Sequence, residues 1–136
     1  MKLHILSNRT ISDVQQDFNA AYPFLKIEFY KQIIGRSGSA IRQKIIKTSL
    51  LNAAGVRREG ELEVTDLMTV GQLENFFLAR FEIAVQVSRK SGILWLETTM
   101  TDNWTLKQQN DHGKELSEPV KSSHIINYDG LGDDAR

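Results

Sequence analysis

Cysteine is absent from the 136 residues, proline and tryptophan occur twice each, and 17 basic residues are matched by 17 acidic ones. Each shortage excludes something. Without thiols there is no disulfide framework, no thiolate metal site, no iron–sulfur ligation and no thiol nucleophile. A zero formal net charge removes any whole-molecule field that would draw in nucleic acid or an anionic membrane, so such an argument must rest on a local patch. No apolar run approaches the ~20 residues of a membrane span. The opening MKLHILSNRTISD turns polar after six residues, too early for the core of a signal peptide. The chain is therefore expected to be cytoplasmic, with no membrane partner.

A hydrophobic fraction of 40% with 25% charged residues is that of an ordinary globular chain, and 136 residues fit one domain. KLHIL alternates Leu3 and Ile5 with polar neighbours, as a half-buried strand does. Ile11, Val14, Phe18 and Tyr22 then recur at helical spacing, with Thr10 and Asp13 placed as a capping box and Pro23 as the stop. FLKIEFYK returns to strand alternation, with Leu25, Ile27 and Phe29 on one phase. Residues 61–90 repeat this order. At a constant offset of 59, Leu3 falls on Leu62, Ile5 on Val64, Thr10 on Thr69, Val14 on Leu73 and Phe18 on Phe77. After one residue is dropped at the Pro23 turn, Leu25, Ile27 and Phe29 fall on Ile83, Val85 and Val87.

Two such units predict an α+β fold: βαβ-like units in a ferredoxin-like (split βαβ) or related sheet with the helices on one face. RKSG would turn a C-terminal hairpin into a strand over Ile93–Leu96, with Gly92 at positive φ. Thr105 and Gln108 would cap a short last helix, ended by Gly113. The domain is expected over residues 1–116, followed by a polar, mobile tail over 117–136 unless Ile125, Ile126 and Tyr128 dock as a strand.

Between the units lies a basic insertion, residues 33–58, whose Ile41, Ile45, Ile46, Leu50 and Leu51 predict an amphipathic helix from about Gly38 to Ala54, ended by Gly55. From Tyr30 to Arg58 there is no acidic residue, while Arg36, Arg42, Lys44, Lys47, Arg57 and Arg58 are basic. Such a face could grip a phosphate backbone, but a solvated helix face whose charge balances the acidic tail is the favoured account. GRSGSAIRQK fits neither GxxxxGK[ST] nor GxGxxG, so the phosphate-loop reading is weak.

Both tryptophans sit near the predicted hairpin, and Arg89, Lys90, Trp95 and Trp104 are the candidates for a binding edge. The bland alternative is a hairpin core. His4, His112 and His124 have neither metal-site nor triad spacing, and a threonine nucleophile would need a base within hydrogen-bond reach. The residues point to no catalytic site, metal or cofactor.

The run DLMTVGQLENFF, then VQVSRKSGILWLETTMTDNWTLKQQNDHGKELS, with KLHILSNRTISDVQQDFNAAYPFLKIEFYK at the start, resembles a group of short, uncharacterised bacterial conserved hypothetical proteins. RKSG, WLETT and DNWTLKQQN carry the likeness. That resemblance implies no activity and no site residue. The residues favour a small non-enzymatic interaction or regulatory module, associating with itself or with another protein. RNA or DNA binding through residues 31–58 is the alternative.

Overall fold

Strand β1 (Lys2–Ile5) buries Leu3 and Ile5 and turns Lys2 and His4 outward, the period of two that a half-buried strand needs. The computed structural model describes residues 1–118. It continues through α1 (Ile11–Ala21), β2 (Leu25–Ile34), β3 (Ala40–Lys44), the single turn α2 (Leu51–Ala54) and β4 (Gly60–Glu63). Then come α3 (Val70–Phe81), β5 (Ala84–Ser91), β6 (Leu94–Glu97), a 3₁₀ turn and α4 (Leu106–Ser117). The fold is α+β. Ile125, Ile126 and Tyr128, and the tail predicted over 117–136 from residue 119 onward, lie outside the described residues.

The single split-βαβ sheet does not form. β1 pairs with β4 in an antiparallel ribbon of two strands, and β3-β2-β5-β6 make a separate antiparallel sheet of four. The reason lies in β2, which runs ten residues and turns back as a hairpin with β3 on one edge while pairing β5 on the other. No place beside it remains for β1. Leu3, Ile5, Leu62 and Val64 instead lay the ribbon's apolar side on the core, against Leu25, Ile27, Phe29, Val85 and Val87. Helices α1 and α3 complete that core with Val14, Phe18, Leu73 and Phe77. Phe29 and Phe77 meet edge to face at 5.7 Å.

Both registers are symmetric about one pair. Leu3 stands opposite Leu62 in the ribbon, and Glu28 stands opposite Gln86 in the sheet. The two halves share one element order and matching joints: Ser12 N donates to Lys47 O where Gly71 N donates to Asp102 O. Ile45 N likewise donates to Phe29 O where Thr98 N donates to Val87 O. Capping boxes at Thr10, Thr69 and Thr105 start α1, α3 and α4, those at Thr10 and Thr105 as their spacing predicts.

The basic insertion is no long helix. Its isoleucines are β-branched and stiff at χ1, and Ile33, Ile34 and Ile41 go into the β2–β3 hairpin, where Ile33 stands opposite Ile41. The glycines of GRSGS supply the turn, with Gly38 at φ +83°. Only one helical turn follows before Gly55, at φ +106°, ends it as predicted. Gly92 turns the β5–β6 hairpin at φ +64°, also as predicted.

Gly113 does not end α4, which runs on to Ser117. It is buried where the helix crosses the sheet, and a Cβ there would lie 2.9 Å from Phe24 Cβ and 3.1 Å from Phe24 O. Glycine is present for closeness, not for a turn. Gly113→Ala should therefore destabilise the fold by about 1–3 kcal/mol despite the better helix propensity of alanine. Urea unfolding checks this, and a gain in stability would contradict the close crossing.

Candidate functional site

On β2 the phase opposite Leu25, Ile27 and Phe29 carries Lys26, Glu28 and Tyr30. Pairing extends that outward face in rows across the sheet, since residues directly opposite one another share a side. Lys44 stands beside Tyr30, Glu28 beside Gln86, and Lys26 beside Ser88, which in turn stands beside Glu97. The outermost rows are Arg42 with Gln32 at one end and Trp95 with Lys90 at the other. Gln86 and Ser88 are buried at the floor, and the longer side chains rise around them.

β3 and β6 cover only the far ends of the central pair, so stretches of β2 and β5 would be bare edges. Helix side chains fill those gaps. Gln15 Nε2 donates to Ile27 O at 2.8 Å and to Glu28 Oε1 at 2.9 Å, and Asn19 Nδ2 donates to Leu25 O at 2.9 Å. On the other edge the Glu74 carboxylate accepts from Val87 N at 3.1 Å and Gln86 Nε2 at 3.3 Å. Thr98 Oγ1 donates to Val87 O at 2.9 Å.

Between α1 and the outward face lies an open cleft of about 580 Å³, walled by Gln15 and Asn19 and closed at one end by Ile46 and Lys47. Its charged groups are Lys26, Lys44, Lys47 and Glu28, with the Trp95 ring on the far rim. Glu28 Oε2 lies 3.4 Å from Lys26 Nζ and 3.1 Å from Lys44 Nζ, and its hydrogen bond and charge hold the Lys44 ammonium above its ordinary range. Lys26 Nζ also stands 4.9 Å from the Trp95 ring centre, and the Arg42 guanidinium 4.2 Å from that of Tyr30. The volume is that of a small-ligand pocket, and the cations would meet an anion.

The matching region of the other half carries the opposite sign. Asp102 and Glu97 lie close enough to bear on the Glu74 carboxyl there, with Arg42 the nearby cation. Burial is the main reason that the Glu74 carboxyl sits above its ordinary range; the Val87 amide opposes the shift, and Asp102 adds to it.

Of the residues singled out in sequence, Trp95 and Lys90 reach the outward face. Arg89 points the other way: its Nη1 donates to Gln109 Oε1 at 2.9 Å and its buried Nε has no partner. Trp104 packs edge-on against His112 at 5.6 Å and does not line the cleft that Trp95 rims. The basic set divides as well. Arg42, Lys44 and Lys47 flank the outward face, Arg36 lies in the β2–β3 turn, and Arg57 and Arg58 precede β4, with Arg58 3.9 Å from Glu82. GRSGSAIRQK forms that turn and a strand, so no helix N-terminus follows it. Sequence reasoning missed Gln15, Lys26, Glu28 and Glu74. Lys26 and Glu28 were visible as the polar phase of a strand, but only the pairing shows that no other described strand or helix covers that phase.

Among the described residues no group of three or more His, Asp and Glu converges as metal ligands would. His4 and His112 each face a glutamate, Glu61 at 3.2 Å and Glu115 at 3.4 Å. No described helix is long and apolar enough to cross a membrane.

A carboxyl whose folded pKa is raised contributes stability that is fully present below the unfolded value and is lost as pH climbs through the folded one. For Glu74 that loss starts near its ordinary value of 4.5 and continues above it. Glu74→Gln should keep an acceptor for Val87 N while removing this slope, so the variant gains stability relative to wild type as pH rises from 4.5 to 7. Chemical unfolding at several pH values checks it, and parallel curves would contradict it. No family model, curated protein or solved structure matches the chain.

Proposed function

We propose that the protein is a non-enzymatic interaction module that associates with a second copy of itself. One observation carries the reading: the outward sheet face leaves Ile46 71% exposed beside Trp95 and a set of charges, with Ile34 75% exposed at the hairpin end of β2. Apolar groups rimmed by charge on a face that no other described element covers are the composition of a protein-binding surface. The second half of the chain sharpens this. Its long α4 packs on β5, whereas α2, in the matching place, is a single turn and leaves Ile33 and Ile41 half exposed on the other side of the β2–β3 hairpin. We further infer that the two halves descend from an internal duplication, which the common element order and the Leu3–Leu62 and Glu28–Gln86 pairs support.

Light scattering across a concentration series tests self-association. The mass should rise from the 15.5 kDa of one chain towards twice that value. A single-chain mass at every concentration would contradict the reading.

Nucleic-acid binding is the second reading, favoured by the stacking of Arg42 on Tyr30 beside Lys44 and Lys47. Against it, Lys44 is already engaged by Glu28, and carboxylates share the face. Replacing Arg42, Lys44 and Lys47 by glutamine should leave retention on a polyanion column nearly unchanged. A steep loss, with a strong salt dependence in the wild type, would promote this second reading.

A further inference from the structure

The matched positions of the two halves carry opposite charge. Lys44 and Glu97 occupy equivalent places, each on an edge strand opposite Tyr30 or its counterpart Ser88. Lys47 and Asp102 are equivalent too, since their carbonyls accept from Ser12 N and Gly71 N at the starts of α1 and α3. Gln15 and Glu74 are a third matched pair, neutral against acidic, each plugging the open edge of its central strand. The α1 side of the face therefore holds three lysines and one carboxylate, and the other side three carboxylates and one guanidinium, with Lys90 at its end.

We propose that this face pairs with the same face of a second copy about a twofold axis lying between the two sheets, so that each basic half covers the other copy's acidic half. The proposal rests on self-association as read above and names its surface. A twofold contact brings each surface patch against its own counterpart, so a face with uniform charge would repel itself. This face avoids that by carrying both signs in separate halves. The long Lys47 side chain is open to solvent and can reach across, while Lys44, 57% exposed, adds its charge from its place beside Glu28. Glu97 and Asp102, also exposed, wait on the opposite side. Trp95 and Ile46 supply apolar contact at the rim of the cleft. At about 3.3 Å per residue and about 4.8 Å between strands, the strands present on the order of 400 Å². With the flanking helices this reaches the range of transient complexes, in which charge sets register and partner choice.

Charge exchange between variants tests the surface. Lys44→Glu with Lys47→Asp makes a predominantly acidic face, and Glu97→Lys with Asp102→Lys a predominantly basic one. Each variant alone should stay a monomer where the wild type dimerises, and an equimolar mixture should recover a dimer containing one of each. Wild-type association should weaken about tenfold or more between low salt and about 0.5 M salt, as exposed charge pairs are screened. The milder pair Lys47→Glu and Asp102→Lys avoids the Glu28 neighbourhood and keeps the test valid if a double variant folds poorly. A wild-type dimer that persists in both variants, with no preference for mixed pairs, overturns this surface while self-association stands. A wild type that remains a monomer, or that associates only when RNA is added, overturns both.

Discussion

The structure depends on the antiparallel pairing of β2 with β5 around Glu28 and Gln86. That pair supplies the inner wall of the core through Leu25, Ile27, Phe29, Val85 and Val87, and the outward phase of the same strands supplies the candidate site. A shift of one residue would exchange the two faces, placing Lys26 and Glu28 against Leu3 and Leu62. Burying those charges would cost far more than the lost packing. The register is therefore held by burial on one side and leaves the other free to carry charge.

The helices have two roles in this arrangement. Their apolar faces close the core, and their amides and carboxylates stand in for missing strands: Gln15 and Asn19 along β2, Glu74 along β5. Short outer strands at opposite ends of the pair then suffice, because the open backbone between them is satisfied by side chains rather than by a neighbouring chain. This blunts edge-to-edge pairing.

Much of this was legible in the sequence, because the local rules agreed with one another. The strand phases of KLHIL and FLKIEFYK, the helix faces of α1 and α3, the caps at Thr10 and Thr105 and the turn at Gly92 all follow from spacing and residue type. What failed, failed for identifiable reasons. Ile41, Ile45, Ile46 and Leu50 have a helical spacing by accident, and β-branching with a glycine-rich turn outweighed it. Gly113 looked like a helix stop because the approach of Phe24, 89 residues away in sequence, leaves no local trace. The site was harder. Lys26, Glu28 and Glu74 read as solvated positions until strand pairing placed them together, and the opposed charges of Lys44 and Glu97 mean nothing until the two are seen to occupy equivalent places.

Opposite charges on matched positions are the feature that binds fold to function in this account. Amide chemical shifts recorded by nitrogen–proton NMR as the protein is concentrated test it most directly. Shifts should change at Lys44 to Lys47, Glu97, Asp102 and the Trp95 indole, and hardly at all on the solvent side of the β1–β4 ribbon. Changes centred on Lys2, His4, Glu61 and Glu63 instead, or none anywhere, would contradict it.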